Sequence, residues 1–195
     1  MTNLLTSAPS GVWPFVVTNV DDFVLLTTLF VTVGQGGPTN RRIVSGQYLG
    51  FGLLVGVSLA LAAGLAAVPS RWIGLFGLVP LALGVRAILL AKRQEPDDGR
   101  VAAVTGVVGV AALTVADGAD NVSVYIPLFR QAGPGATTTY VVVFAVLVGV
   151  WCVAAHALAH RRSLVVVVER AGHWLVPLLY IAIGLRIIVV SGLAG

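Results

Sequence analysis

The sequence predicts an all-α integral membrane protein with six transmembrane helices, and three observations lead to this prediction. Hydrophobic residues make up 57% of the chain and charged residues only 10%, whereas a soluble domain contains about 25% charged residues. The mean hydropathy is +0.97, and the apolar tracts have the roughly 20 residues that cross a bilayer. An acidic motif also occurs twice, with Asp120 lying 99 positions after Asp21. We therefore expect residues 1–195 to form a single transmembrane domain.

The first repeat comprises residues 11–91 and contains three predicted spans. These spans cover residues 11–33, 43–68 and 72–91. The first carries a polar group near its midpoint, and the second is rich in glycine, alanine and serine. Small residues at such spacings allow helix backbones to approach closely, so we interpret span 2 as a packing helix. The third contains Leu-Val-Pro followed by Gly84 and Arg86.

The charged loop 92–100 leads into the second repeat, residues 101–193. Its spans are predicted at residues 104–129, 139–159 and 173–192. Span 6 repeats the Leu-Val-Pro and Gly-x-Arg elements of span 3, with Gly184 lying 100 positions after Gly84. An odd number of spans in each repeat places the second copy in the opposite orientation. This is the inverted-repeat architecture of many secondary transporters, whose sites lie near the midplane between the repeats.

Acidic side chains near the middle of spans 1 and 4 are the candidate functional residues. The predicted site consists of Asp21, Asp22, Asp117, Asp120 and Asn121. Each carboxylate costs roughly 2.5–3.5 kcal/mol at the centre of a membrane helix, so the four together cost on the order of 10–14 kcal/mol. A water-filled cavity, protonation, basic partners or a bound cation must offset this cost.

The chemistry of these side chains favours a divalent cation. Carboxylate and amide oxygens suit such ions, and Asp117, Asp120 and Asn121 would share one face of a continuous helix. Pro127 would leave the carbonyl of Ser123 without its helical donor just below this face. Thr18, Asn19 and Ser123 are accessory candidates. The alternative is that the polar residues only pack helices together, but no basic residue is equally central.

Span 5 carries a second group of metal-binding residue types. Cys152, His156 and His160 follow one another at intervals of four on one helical face and offer softer ligands. They could receive a metal ion before it reaches the midplane, or they could simply be interfacial residues. Arg86 and Arg186 could balance the acids or extend towards the membrane surface. Cys152 is the single cysteine, which excludes an intrachain disulfide.

Loop charges predict the orientation. Eight basic residues lie in the loops after spans 1, 3 and 5: Arg41, Arg42, Lys92, Arg93, Arg100, Arg161, Arg162 and Arg170. The opposite side carries only Arg71 and Arg130. Because basic loops remain cytoplasmic, both termini should be extracytoplasmic.

The basic loops also explain the net charge of +4. Nucleic acid is therefore not an expected partner, whereas the lipid bilayer is an expected partner. A homodimer is a further hypothesis, since a bundle of this size has few internal partners.

Four stretches of the sequence resemble the cadmium resistance transporter family, which belongs to the lysine exporter superfamily. They are Thr18-Asn19-Val20-Asp21-Asp22, Gly46-Gln47-Tyr48-Leu49-Gly50-Phe51, Gly77-Leu78-Val79-Pro80, and Asp117-Gly118-Ala119-Asp120-Asn121 through Tyr125-Ile126-Pro127-Leu128-Phe129. The resemblance covers nearly the whole chain and implies a bacterial cytoplasmic-membrane exporter of cadmium or a related divalent cation. It assigns the metal to the two acidic motifs and does not extend to the cysteine and histidine group of span 5.

The leading hypothesis is therefore a secondary transporter, with no enzymatic activity and no resident cofactor. It would export cadmium, zinc or another transition metal in exchange for protons, because neighbouring carboxylates favour holding a proton when the metal leaves. An exporter of a cationic amino acid would also suit an acidic site. An intramembrane aspartyl protease needs one aspartate from each of two helices, but the Gly-x-Gly-Asp signature is missing.

Overall fold

The structure, a computed structural model, describes residues 4–65, 72, 75, 78–90, 104–161, 177–178, 180–185 and 187–189, with the backbone alone for residues 4–10, 87 and 90. The described residues contain helices and turns and no β-strand. The helices are α1 (Leu4–Thr18), α2 (Val20–Val31), α3 (Asn40–Gly64), α4 (Leu78–Leu90), α5 (Val107–Asp117), α6 (Asn121–Gln131) and α7 (Pro134–Ala159). The prediction of an all-α membrane protein is therefore confirmed.

Two helices and two bent helix pairs account for four of the predicted spans. By length and composition, α3 and α7 can each cross a membrane alone. The pair α1 and α2 bends by 58°, the pair α5 and α6 bends by 76°, and each pair qualifies as one broken span. The turn after α2 contains Gly34 and Gly36 with φ values of 82° and 95°, a conformation that glycine adopts without steric cost. This turn confirms the predicted end of span 1.

The two broken spans pack against helices of the opposite half. Both α1 and α2 lie mainly against α7, whereas α5 and α6 lie mainly against α3. Each acidic span is thus supported by the middle helix of the other repeat. As a result, the midpoints of the two broken spans lie next to each other at the centre of the described bundle.

Two glycines of α3 bring this helix unusually close to α5. A Cβ atom at Gly46 would lie 2.5 Å from Cβ of Val110, and one at Gly50 would lie 2.7 Å from the backbone oxygen of Ala111. Real Cβ atoms do not approach their neighbours so closely, so larger residues would force the two helices apart. The packing interpretation of span 2 is confirmed at these two positions.

Aromatic rings fill the space beside the midpoints. Phe15 of α1 lies 5.4 Å from Phe51 of α3 and 5.5 Å from Phe144 of α7, measured between ring centroids. Tyr125 of α6 is 5.0 Å from Phe144. These tilted contacts are the arrangement that aromatic quadrupoles prefer. The cluster therefore joins the two broken spans to both supporting helices on one side of the polar residues.

Spans 3 and 6 are described only in part. Gly84 of α4 lies against Pro177 and Ile181, so the described parts of these two spans are in contact. Arg86 is exposed, as expected of a side chain that extends to the membrane surface. The charged loop 92–100, the basic residues Arg71, Arg162 and Arg170, and Arg186 lie outside the described residues.

Candidate metal centre at two helix breaks

The first broken span bends at Asn19, directly before its two acids. Asn19 has φ −117° and ψ 23°, and Asp21 and Asp22 occupy the first turn of α2. The backbone N–H of Asp22 donates to Oδ1 of Asp21 at 3.0 Å. Because the N-terminus of a helix carries partial positive charge, this position stabilises both carboxylates without a basic side chain.

The second broken span is interrupted by a turn at residues 118–120. Helix α5 ends at Asp117, and α6 begins at Asn121 with Asp120 as its N-cap residue. Asp120 is at the favourable end of a helix, whereas Asp117 lies at a C-terminus, where the helix dipole adds to the negative charge. The end of α5 and the carboxylate of Asp117 therefore both attract a cation to this break.

The prediction that Asp117, Asp120 and Asn121 share one face of a continuous helix is wrong. The helix is interrupted between them, since Asn121 N–H bonds to Gly118 O at 3.1 Å in a tight turn. Pro127 lies inside α6, as the prediction that it leaves the Ser123 carbonyl without a helical donor requires; the interruption of the span itself comes before it. Gly118 favours the turn, since glycine weakens a helix interior.

Spans 1 and 4 touch at these breaks, as the sequence predicted. The hydroxyl of Tyr125 lies 3.0 Å from Oγ1 of Thr18 and accepts a 2.8 Å hydrogen bond from Nδ2 of Asn19. Asn121 Nδ2 donates to Asn19 Oδ1 at 3.4 Å. The indole N–H of Trp151 donates to the backbone oxygen of Asn19 at 2.8 Å. Thr18 and Asn19, the accessory candidates of span 1, thus join the two halves.

Asp21 and Asp120, the equivalent acids of the two repeats, lie on either side of one tyrosine. The hydroxyl of Tyr180 donates to Oδ2 of Asp21 at 3.0 Å, and Asp120 lies next to the same hydroxyl. Since Oδ1 of Asp21 accepts from the backbone, both oxygens of Asp21 have partners. Tyr180, which lies in the segment predicted to be span 6, therefore contributes directly to the acidic centre.

Asp22 is held by a glutamine from α3. Nε2 of Gln47 donates to Oδ2 of Asp22 at 2.7 Å, and Oγ1 of Thr114 donates to Oε1 of Gln47 at 2.7 Å. All three side chains are buried. This chain of hydrogen bonds connects α2 to α5 through α3, and so links the two broken spans.

Four side-chain oxygens of the acidic motifs are buried and have no hydrogen-bond partner among the residues that the structure describes. They are Oδ1 of Asp22, Oδ2 of Asp117, Oδ1 of Asp120 and Oδ1 of Asn121. Buried polar atoms are rarely left unpaired, because each costs about 1–3 kcal/mol, and more when charged. Within the described part of the chain, the charges that act on Asp21, Asp22 and Asp117 are those of the other acids. The donor set is therefore suited to a cation.

The acids of the described residues are not gathered tightly. No three His, Cys, Asp or Glu side chains in these ranges are grouped closely enough to hold a metal ion. Like charges at short range repel one another, which favours such spacing. A cation bound here would have to draw the carboxylates together or reach some of them through water.

The remaining candidates have other contacts. Ser123 Oγ donates to the backbone oxygen of Asp120 at 2.6 Å. Cys152 is buried near Asp22, whereas His156 packs edge-on against Phe30. His160 contacts the backbone oxygen of His156. His156 and His160 also pack edge-on against each other, with ring centroids 4.8 Å apart, but the described residues do not assemble the two histidines and Cys152 into a metal group. His173 lies outside the described residues.

Sequence reasoning missed several residues of this centre. Gln47, Thr114, Tyr125, Trp151 and Tyr180 all donate or accept hydrogen bonds there. Their common signal is a polar group inside an otherwise apolar tract, which must find a partner when it is buried in a membrane. Gln47 was the clearest case, since its amide stands in a span otherwise explained by packing.

The family comparison agrees with this centre. The family described as cadmium resistance transporter matches residues 15–194, which include both acidic motifs and both breaks. A search of curated proteins and one of solved structures found no match. Because the family match covers most of the chain, the protein belongs to the cadmium resistance transporter family. This is a family of transporters, not of enzymes, so the intramembrane protease hypothesis gains no support.

Proposed function

We propose that this protein exports a divalent heavy-metal cation, cadmium or a related ion, from the bacterial cytoplasm. The observation that carries the proposal is the set of buried, unpartnered oxygens at two adjoining helix breaks inside apolar spans. Ionisable residues inside membrane spans are costly and commonly mark ion pathways. Family membership supplies the class of ion.

The free oxygens suggest a division of roles within the site. Asp22, Asp117, Asp120 and Asn121 each offer one unpartnered oxygen and are the direct ligands in this proposal. Asp21 would add a ligand only after exchanging its bond to Tyr180. The carboxylates of Asp117 and Asp120 from the second motif and of Asp22 from the first would bind the cation between the repeats.

The ends of the broken helices support cation binding at this point. Secondary transporters use interrupted helices near the midplane, where C-terminal helix ends and free carbonyls coordinate cations. The C-termini of α1 and α5 both lie at the breaks, next to Asn19 and Asp117. Their partial negative charges add to those of the carboxylates.

We propose six spans in two inverted repeats as the framework for alternating access. Support comes from the crosswise packing of the broken spans on α7 and α3 and from the breaks at equivalent acidic motifs. The contact of Gly84 with Pro177 and Ile181 supports a third pair of related spans. Movement of one repeat against the other would expose the acids first to the cytoplasm and then outside.

Proton exchange is the proposed coupling. When the cation leaves, the carboxylates that surrounded it remain close, and binding protons relieves their repulsion. A transmembrane proton gradient would then favour metal release outside and proton release inside. The termini are proposed to face outwards, and a homodimer remains a hypothesis for which mass measurement in nanodiscs is the direct test.

Inside-out membrane vesicles containing the protein test this function. In such vesicles an exporter moves metal into the lumen, so Cd²⁺, Zn²⁺ and a cationic amino acid are compared as substrates. We expect Cd²⁺ uptake that requires an imposed proton gradient and is lost in Asp120→Asn. Ser58→Ala is the matched control, since this buried hydroxyl bonds only to Leu54 O within α3. Amino-acid uptake without metal uptake would contradict the proposal.

A further inference from the structure

The amide of Gln47 lies between an acid of one broken span and a hydroxyl of the other. Gln47 is 1% exposed, Thr114 is 2% exposed and Asp22 is 3% exposed, so the three are shielded from solvent. The two hydrogen bonds that join them are both 2.7 Å long. Buried hydrogen bonds to a charged group are among the stronger ones in proteins.

The donor and acceptor roles in this chain are fixed by chemistry. The Asp22 carboxylate can only accept, so the amide must turn its N–H₂ group towards Asp22. The carbonyl of the amide then faces Thr114, whose hydroxyl donates to it. Thr114 therefore orients the amide, and the amide engages Oδ2 of Asp22 while Oδ1 has no partner.

The close crossing of α3 and α5 holds this geometry. Gly46 precedes Gln47 in the sequence, and Gly50 lies one turn later on the same helix. Cβ atoms at these two positions would lie 2.5 Å from Cβ of Val110 and 2.8 Å from Cβ of Thr114. The glycines therefore allow the approach that places the amide within reach of Thr114.

We propose that Gln47 is a positioning residue that limits Asp22 to one metal-binding oxygen. This inference rests on the proposed function of the acidic centre. Its consequence is selectivity: Ca²⁺ takes six to eight oxygens and often both oxygens of a carboxylate, whereas transition metals such as Zn²⁺ are satisfied by four ligands. Engaging one oxygen of Asp22 disfavours the ion that needs the larger number of ligands.

The test is equilibrium binding of Zn²⁺ and of Ca²⁺ to the full chain in lipid nanodiscs, because Zn²⁺ is the ion that needs only four ligands. Gln47→Leu is similar in size but frees Oδ2 of Asp22, and we expect the ratio of Ca²⁺ to Zn²⁺ affinity to rise about tenfold or more, because Ca²⁺ often binds both oxygens of a carboxylate. Thr114→Val releases the amide carbonyl and should shift the ratio in the same direction by less. Thr114→Ser keeps a hydroxyl and should restore the parental ratio.

These variants separate positioning from simple stability. A loss of packing alone would weaken the binding of both ions equally and leave the ratio of their affinities unchanged. An unchanged ratio would therefore overturn the proposed role of Gln47. If Gln47→Leu does not fold, an unchanged affinity ratio in Thr114→Val would likewise overturn the proposed role of Gln47. Failure of the parental protein to bind either Zn²⁺ or Cd²⁺ would instead overturn the proposed function together with this inference. A ratio that shifts in Thr114→Val and returns in Thr114→Ser supports the inference.

Discussion

Replacing Asp120 by asparagine should weaken cation binding severely while preserving the fold. The carboxylate of Asp120 makes no side-chain capping hydrogen bond to α6, so the substitution removes no cap. Its Oδ1 is buried without a partner, and Asp21 and Asp117 both lie within electrostatic range. Asparagine is nearly isosteric and relieves this repulsion, so the variant should be as stable as the parent or more stable when no metal is added.

The expected loss appears when metal is added. A ligand at 100 times its dissociation constant stabilises a protein by about 2.7 kcal/mol. If losing one of four proposed ligands weakens binding 100-fold, the same concentration contributes only about 0.4 kcal/mol. The variant should therefore lose about 2.3 kcal/mol of metal-induced stabilisation.

Unfolding in nanodiscs with and without Cd²⁺ measures this difference. The control Ser58→Ala removes a buried hydroxyl that bonds within its own helix. It should lower the stability by about 1 kcal/mol but retain the full response to metal. If Asp120→Asn destabilised the protein and kept its response to Cd²⁺, the acid would be structural, and the site assignment would be refuted.

Three further predictions concern neighbouring features. Asp21→Asn should also abolish export, but it should stabilise less than Asp120→Asn because both oxygens of the Asp21 carboxylate accept hydrogen bonds, whereas Oδ1 of Asp120 has no partner among the described residues; unfolding of both variants side by side tests this order. Gly50→Ala places a methyl group 2.7 Å from a backbone oxygen of α5 and should cost about 1–3 kcal/mol. Gly56→Ala, with open space around it, is the matched control and should not destabilise. Single cysteines at the two chain ends, in a Cys152→Ala background, should react with an impermeant reagent on intact cells; reaction only after permeabilisation would reverse the orientation.

Hydropathy identified the membrane class because it is a local property of the sequence. The long apolar runs of α3 and α7 need no distant partner to be recognised as spans. The acids were found for the same reason, since a carboxylate inside such a run is costly wherever the chain folds. The prediction that spans 1 and 4 meet followed from the repeat and is confirmed by the contacts of Tyr125 with Thr18 and Asn19.

The helix breaks were harder to predict because the apolar pattern continues through them. Periodicity placed Asp117 and Asp120 on one face of a continuous helix, yet a turn at residues 118–120 separates them. Gly118 and three polar residues within five positions were the available signal, since such residues favour turns and helix ends. A membrane span tolerates such a break when side chains form hydrogen bonds with the backbone groups that the interrupted helix leaves free.

The partners of the acids were missed because they come from distant parts of the chain. Gln47 precedes Thr114 by 67 positions, and Tyr180 follows Asp21 by 159 positions. Only the crossing of α3 with α5, and the arrival of span 6 at the centre, bring these groups together. A polar side chain in an apolar span indicates that a partner exists, but it does not indicate which residue that partner is.

The unequal chemistry of the two repeats bears on how the cation would be released. Asp21 and Asp120 are equivalent acids, but Asn121 occupies the position that Asp22 holds in the first repeat. Four carboxylates still exceed the charge of one divalent ion by two, and excess negative charge is costly at membrane depth. Protons can neutralise this excess, which supports exchange with protons over simple uniport. A fifth carboxylate at position 121 would increase the excess, whereas the amide supplies an oxygen ligand without adding charge.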